Sequence, residues 1–303
     1  MARLMAAMAL ALSLAGCGRS GQSVRADTSD PYLADIAKFR EAREAALKTD
    51  TGWLTIAGLF FLTKPETTFG SDVANDIVLP AGAPPRAGTF TLRDGKVSVR
   101  AVPGVSFVLN GKSITGAELK SDGSGPPDRI ELQDLALWVH ESGERLAIRL
   151  RDRNNRLRRE FTGLKWYAVK QAYRVDAEYL PFETAKTMQI PNILGDIDTM
   201  VSPGTVAFSL DGQRLQMVAI VDPDHPKELW FIFRDLTTGK ETDPAARFLY
   251  TPMPENGKVT LDFNRAQNPP CAYNAFATCP LPPPENRMPV RVEAGERIYE
   301  PRP

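Results

Sequence analysis

Apolar residues follow a helical spacing at the start of the folded chain. After Asp30-Pro31 they recur every three or four positions, as Tyr32, Ile36, Phe39, Ala42 and Ala46. Aspartate is a preferred N-cap, and proline fits the first turn of a helix because its missing N–H has no intrahelical partner there. The pattern therefore predicts one amphipathic helix that ends near Lys48.

The rest of the chain is patterned as short strands between turns. Asp94-Gly95 and Asn110-Gly111 each follow a strand-like run, as in two-residue hairpins. Between residues 146 and 151, leucine and isoleucine alternate with one alanine and two arginines, which predicts one buried and one basic face. Other strands are predicted over residues 129–132, 135–140, 205–210, 214–221, 228–234, 247–250, 258–263 and 288–292. The class is mainly β. We expect the helix and a β-sandwich to fill residues 30–160, and a second antiparallel sheet or barrel part to fill residues 161–303.

The first residues predict an export signal. One early positive charge, Arg3, precedes an apolar run that is too short to span a bilayer. Leu14-Ala15-Gly16-Cys17 then resembles a bacterial lipobox, which implies a signal peptide over residues 1–16 and acylation of Cys17. Residues 17–29 are small and polar, as expected of a tether. Gly18 in place of aspartate resembles lipoproteins sorted to the outer membrane, so we expect a lipid-anchored envelope protein facing the periplasm. The alternative is an ordinary signal peptide with an incidental cysteine.

The amino-acid composition argues against two classes of function, nucleic-acid binding and metal-dependent chemistry. The 303 residues carry 37 basic and 37 acidic side chains, and this balance argues against a nucleic-acid-binding protein. Two histidines and three cysteines leave little material for a metal centre, so no cofactor or metal is predicted. Cys271 and Cys279 remain as a pair once Cys17 is acylated. In an oxidising compartment they predict a disulfide, with a metal-binding pair as the alternative.

A first resemblance concerns residues 69–114. Phe69-Gly-Ser-Asp-Val-Ala-Asn-Asp-Ile-Val-Leu-Pro and Asn110-Gly111-Lys112 are similar to the strand and turn pattern of the forkhead-associated domain. The phosphate-binding residues of that family are not matched, because Ser71 stands where it has arginine. The resemblance therefore implies the architecture of a β-sandwich and not the binding of phosphothreonine.

A second resemblance covers nearly all of the mature chain. Gly52-Trp-Leu-Thr-Ile-Ala-Gly-Leu-Phe, Tyr173-Arg-Val-Asp-Ala-Glu-Tyr, Asn268-Pro-Pro-Cys, Cys279-Pro-Leu-Pro-Pro-Pro-Glu-Asn-Arg and Ala294-Gly-Glu occur in this order. Together they resemble the bacterial family known as domain of unknown function 1684. The resemblance implies no activity. Asp243-Pro244 departs from the Tyr-Gly that related sequences carry.

Polar residues are concentrated between residues 233 and 287. We expect a small polar or anionic ligand to bind there, with arginines receiving a carboxylate or phosphate. The candidates are Arg234, Asp235, Glu241, Arg247, Asp262, Asn264, Asn268, Glu285, Asn286 and Arg287. The structural alternative is that Arg247–Asp262 and Asp235–Arg287 are ion pairs and that the asparagines cap turns.

Two other functions stay open at this stage. Carboxylates such as Asp235 and Glu241 would suit a hydrolase. The seven arginines between Arg145 and Arg159 would instead suit a structural or assembly lipoprotein, although a solvated hairpin face is the simpler interpretation. His225 is expected in an exposed turn and His140 at a rim or in the core. The oligomeric state is not predicted.

Overall fold

The computed structural model describes residues 30–222 and 225–300. The predicted signal peptide, Cys17 and the tether lie outside these residues. The chain is mainly β, with one long helix before its antiparallel sheets, as predicted. No helix in the described ranges is long and apolar enough to cross a membrane.

Helix α1 spans Pro31–Leu47, and the carboxylate of Asp30 caps it by accepting from the Tyr32 N–H at 2.9 Å. The predicted helix is therefore confirmed, but its packed face differs from the predicted one. Ala42 and Ala46 are exposed, whereas Arg43 points inward. Arginine can occupy this face because its long side chain reaches carboxylate and carbonyl acceptors in the C-terminal half.

Two sheets enclose one apolar core in the first half of the chain. The first sheet has the order β1-β11-β10-β9-β6-β7 and the second β3-β2-β4-β5-β8. Their strands are β1 (Ile56–Phe61), β2 (Glu66–Gly70), β3 (Ile77–Val78), β4 (Gly88–Arg93), β5 (Lys96–Ala101), β6 (Phe107–Leu109), β7 (Lys112–Ile114), β8 (Gly116–Leu119), β9 (Ile130–Leu132), β10 (Leu135–Ser142) and β11 (Arg145–Asp152).

The two predicted hairpins of this half are confirmed. Asp94 and Gly95 both have positive φ, 51° and 73°, and they join β4 to β5. Asn110 and Gly111 join β6 to β7 in the same way. These angles fit the type I′ turn, which favours Asp-Gly and Asn-Gly. The likeness to a forkhead-associated domain stays a prediction.

The second half forms one six-stranded sheet, in the order β16-β15-β14-β13-β12-β17. Its edge strands approach each other, so the sheet nearly closes into a barrel around its own core. Its strands are β12 (Arg174–Pro191), β13 (Ile197–Leu210), β14 (Gln213–Val221), β15 (Glu228–Phe233), β16 (Arg247–Pro252) and β17 (Lys258–Asp262). A short helix, α2 (Arg156–Arg159), precedes this half.

One expected strand is absent, and one observed strand was not expected. Residues 288–292 form no strand, although Met288, Val290 and Val292 are buried against the barrel core. Buried and exposed side chains alternate here because the segment is extended and covers the core, although it does not pair with a strand of the sheet. The longest strand, β12, was not predicted, because most of its side chains are exposed and it contains a proline, Pro181.

The basic face of β11 is not a solvated surface at its centre. Arg149 is buried, and the rings of Trp53 and Trp138 lie beside Arg149 and Arg151, respectively. The face is covered because the C-terminal segment packs on it, with Thr278 within hydrogen-bonding distance of Arg149. The two halves of the chain therefore meet across β10 and β11.

Candidate functional site

The predicted arginine and aspartate at the centre of the polar segment form a structural pair. Arg247 donates to Asp235 at 2.7 Å, and their side chains are 1 % and 0 % exposed. Arg247 also donates to the carbonyls of Val292 and Ala294. The pairing differs from the alternative considered from the sequence, in which Arg247 met Asp262. Because both terminal nitrogens of Arg247 donate to the protein itself and the pair is buried, it is not available to a ligand.

The buried asparagines also serve the fold. Asn286 accepts from the N–H of Val218 at 2.7 Å and donates to the carbonyls of Val218 and Ile232, so it joins β14 to β15. Asn264 accepts from the N–H of Lys170 and donates to its carbonyl. Because both side chains satisfy backbone groups in the interior, they are scaffold residues.

The other candidates lie at the periphery of this segment. Arg234 donates to the carbonyls of Pro244 and Ala245. Glu241 pairs with Arg291 and accepts from the hydroxyl of Tyr167 at 2.8 Å. The hydrogen bond from Arg291 lowers the pKa of this carboxyl. Glu285 and Arg287 are exposed. The structure therefore does not gather the ten predicted residues into one site.

Two of the ten, Asp262 and Asn268, line a cleft of about 870 Å³. The cleft lies between α1, the strands β15 and β16, and the segment that contains Thr278 and Cys279. Asn268 is 1 % exposed, and its Nδ2 donates to the carbonyl of Arg297, yet its Oδ1 has no hydrogen-bond partner in the described part of the chain. A buried acceptor without a partner is uncommon and calls for an explanation.

Aromatic rings form one end of the cleft. Trp230 stacks on Tyr250, with ring centroids 5.8 Å apart, and meets Phe248 edge to face at 4.9 Å. The indole N–H of Trp230 is buried and has no partner among the described residues. Burial, and then the carboxylates of Asp222 and Glu228, raise the pKa of the Tyr250 hydroxyl. Tyr250 therefore stays neutral, beside an acidic rim.

The other end of the cleft lies under the first turns of α1. The hydroxyl of Tyr32 donates to Asp262 at 2.9 Å. Burial and this carboxylate raise the pKa of Tyr32 to about 12. Arg265 pairs with Asp35 and Asp262, and its guanidinium lies over the ring of Phe39. Most charges at this end are therefore already neutralised by protein partners.

Arg43 connects α1 to the floor of the cleft. It donates to Glu296 at 2.9 Å and to the carbonyl of Asn268 at 3.1 Å. Glu296 is fully buried and also accepts from the N–H of Asn268. Burial alone would lower the pKa of Arg43, but the Glu296 carboxylate and the Tyr273 hydroxyl together outweigh burial and raise that pKa. This network fixes the position of Asn268 and of the helix above it.

The wall at Thr278 is supported by polar residues of the first half. The hydroxyl oxygen of Thr278 lies 3.1 Å from Nε2 of His140 and 3.2 Å from Nη2 of Arg149. His140 in turn contacts Asp122 through Nδ1 at 2.7 Å. His140 is 8 % exposed, in agreement with the expectation of a rim or core position. His225 is more exposed, contacts Asp222 and lines the aromatic end.

Cys271 and Cys279 are free thiols, so the predicted disulfide is not present in the structure. The two residues are neighbours, because the N–H of Cys271 donates to Sγ of Cys279 at 3.2 Å. Burial raises the pKa of the Cys279 thiol well above its ordinary value. This disfavours the thiolate through which a disulfide forms. In the described ranges no three His, Cys, Asp or Glu side chains gather as a metal site.

Sequence patterns did not identify most residues of the cleft. These residues come from distant parts of the chain, and no local motif joins them. They are Tyr32, Arg43, Trp53, His225, Trp230, Phe248, Tyr250, Arg265, Gln267 and Thr278. One family string did give a signal, because Asn268 and Pro270 of Asn268-Pro-Pro-Cys line the cleft. An unusual proline-rich string next to a strand is the feature that pointed toward this site.

Comparison with known proteins places the chain in a family. No curated protein matches the sequence. An uncharacterised protein of Haloarcula marismortui, solved by solution NMR, is 32 % identical over 46 % of this chain and 78 % of its own, with a TM-score of 0.39. The family model described as protein of unknown function DUF1684 matches residues 159–297. The chain belongs to the DUF1684 family.

Proposed function

We propose that this protein is a cell-envelope binding protein that holds a small organic molecule in the cleft between α1 and the strands β15 and β16. The observation that carries the proposal is the pairing of an aromatic wall with two buried polar groups that lack protein partners, the indole N–H of Trp230 and the Oδ1 of Asn268. Pockets that bind small molecules combine apolar walls with a few fixed polar groups in this way.

The size and chemistry of the cleft agree with this function. Its volume of about 870 Å³ lies within the ~300–1,000 Å³ typical of ligand pockets. The rings of Trp230, Phe248 and Tyr250 offer an apolar surface, and the packing of each ring on the next holds the surface rigid. Rigid aromatic surfaces bind with a small loss of side-chain entropy. A ligand with a flat apolar body and hydrogen-bonding groups fits best.

A hydrolase is supported less well. Asp235 is committed to Arg247 and Glu241 to Arg291, so neither carboxylate is poised for proton transfer. Asp122, His140 and Thr278 do have the spacing of a catalytic triad. However, Nε2 of His140 lies 2.8 Å from Nη2 of Arg149, and a donor at that distance occupies the lone pair that a general base needs.

Anchoring at Cys17 is part of the same proposal. An acylated Cys17 followed by the short tether of residues 18–29 would keep the cleft close to the membrane surface. A binding protein held at this surface samples small molecules in the periplasm without being lost from the cell. The structural or assembly role remains a separate candidate, with less support because Arg149 and Arg151 are covered.

The experiment is a metabolite screen by thermal shift on residues 18–303, followed by calorimetry on each compound that stabilises the protein. We expect Trp230→Phe to weaken binding about tenfold, which corresponds to about 1.4 kcal/mol. Trp166→Phe is the matched control, because Trp166 also has a buried N–H without a described partner but does not line the cleft. If no compound binds, or if both variants bind every compound as the natural protein does, the cleft is not the site.

A further inference from the structure

Thr278 stands at the junction between the cleft and a buried polar cluster. The cluster comprises Asp122, His140 and Arg149, all from the first half of the chain, whereas Thr278 comes from the second. Thr278 is half-buried and lines the cleft, and Arg149 is 6 % exposed behind it. The arginine also lies over the ring of Trp53, another residue of the cleft wall, at 5.9 Å.

The contacts within the cluster determine which of its atoms donate hydrogen bonds and which accept them. Burial alone would raise the pKa of Asp122, but the contact with His140, the Glu141 N–H and the charge of Arg149 together outweigh burial, and the pKa is lowered. Asp122 is therefore an acceptor, so Nδ1 of His140 donates in that contact, and Nε2 is the acceptor because the Arg149 guanidinium beside it can only donate. Arg149 donates to Nε2 at 2.8 Å and to the oxygen of Thr278 at 3.2 Å.

The hydroxyl hydrogen of Thr278 therefore has no acceptor within the cluster. The single lone pair of Nε2 is taken by the shorter contact with Arg149, so the hydroxyl hydrogen of Thr278 is free to turn into the cleft. Its oxygen already accepts from a guanidinium, which polarises the O–H bond and strengthens it as a donor. The cleft thus presents a strong donor at this wall.

The charge behind Thr278 is positive and incompletely neutralised. Burial lowers the pKa of Arg149 to about 10, so the side chain is still charged at neutral pH. In the described part of the chain no carboxylate pairs with it directly, and its Nε has no hydrogen-bond partner. Asp122 lies on the far side of His140. The cluster is therefore a dipole whose positive end faces the cleft, where it favours an anionic group.

We infer that Thr278, backed by Arg149, is the anchor for the carboxylate of a small organic acid whose apolar body lies against Trp53 and Trp230. This inference rests on the proposed function and names its ligand class. A singly charged carboxylate fits better than a phosphate, because only the Thr278 hydroxyl and the buried charge of Arg149 are available to bind it. The carboxylates of Asp222 and Glu228 lie at the aromatic end of the same cleft. A dianion would be repelled by those carboxylates.

The test compares acids with their uncharged amides. Benzoate, phenylacetate and indole-3-acetate, each beside its amide, are titrated into residues 18–303 and followed by calorimetry. We expect at least one acid to bind tenfold or more tightly than its amide. Thr278→Val should remove this preference because it keeps the shape and loses the hydroxyl, and Thr278→Ser should retain it.

A second variant separates a role in binding from a role in folding. Arg149→Met removes a buried charge while filling the space, so the midpoint of thermal unfolding should be unchanged or higher, and the preference for the acid should disappear. Arg151→Met is the matched control. It is on the same strand, but its guanidinium contacts Thr55 and Trp138 instead of Thr278, so the preference should stay.

The outcomes distinguish this inference from the proposed function. If acid and amide bind equally, or if Thr278→Val keeps the preference, the carboxylate anchor is wrong. A second outcome is that none of the six probes binds, whereas other compounds bind and Trp230→Phe weakens their binding. In that case the carboxylate class is wrong and the cleft remains the site. If no compound of any class binds, both ideas fail together.

Discussion

Arg247 and Asp235 form an ion pair that solvent does not reach. The Nη1 and Oδ2 atoms are 2.7 Å apart, and the arginine also holds the carbonyls of Val292 and Ala294. These carbonyls belong to the extended segment that closes one side of the barrel core. The pair therefore ties the end of the chain to β15 and β16, and its role is structural.

Removing one partner of this pair leaves a buried charge, so we expect Arg247→Ala to lower the free energy of unfolding by about 3–5 kcal/mol. Urea unfolding followed by tryptophan fluorescence measures it. Arg214→Ala is the control, because Arg214 and Glu178 form an exposed pair, and its effect should stay within about 0.5 kcal/mol. A loss below about 1 kcal/mol for Arg247→Ala would contradict the structural assignment.

Asn286 and Arg287, neighbours in the family string Cys279-Pro-Leu-Pro-Pro-Pro-Glu-Asn-Arg, should differ in their contribution to stability. Asn286→Ala removes three hydrogen bonds to the backbone of β14 and β15. It should lower the free energy of unfolding by about 3 kcal/mol or more, since each buried group left unpaired costs about 1–3 kcal/mol. Arg287→Ala changes an exposed side chain and should be nearly neutral. Both variants are compared in the same urea titration. Similar losses for the two would show that the string stabilises the protein in another way.

Local signals made much of the fold predictable. The N-cap of Asp30 and the turns at Asp94-Gly95 and Asn110-Gly111 depend on residues close in sequence, so the elements they bound are visible in the sequence alone. Strand β12 was missed because its pairing with β17 is distant in sequence and its exposed side chains follow no clear alternation.

The cleft was less predictable because its residues meet only in three dimensions. His140 and Thr278 are 138 positions apart, and Tyr32 and Asp262 are 230 apart. The polar segment drew attention because it is dense in charge, yet Arg247 and Asn286 satisfy the backbone around them. Charge density in a sequence does not distinguish a self-satisfied network from a binding site.

The thiol of Cys279 should react slowly and with an unusual pH dependence. Its raised pKa means that little thiolate is present near neutral pH, and the thiolate is the reactive form. In reduced Cys271→Ser protein, the rate with a disulfide reagent should rise about tenfold per pH unit and continue to rise above pH ~8.5, where an ordinary cysteine levels off. A plateau near pH ~8.5 would show an ordinary thiol. Guanidinium-unfolded protein is the control and should show that plateau.

Anchoring at Cys17 can be tested in a Gram-negative host that expresses the full chain. We expect the natural protein to incorporate an alkyne-labelled fatty acid and to fractionate with the outer membrane, because several acyl chains on one residue exceed what stable anchoring needs. Cys17→Ser should lose both label and membrane association, whereas Cys271→Ser, which removes a different cysteine, should keep both. Gly18→Asp should keep the label and move the protein to the inner membrane. Label on Cys17→Ser, or an unlabelled natural protein, would refute the anchor.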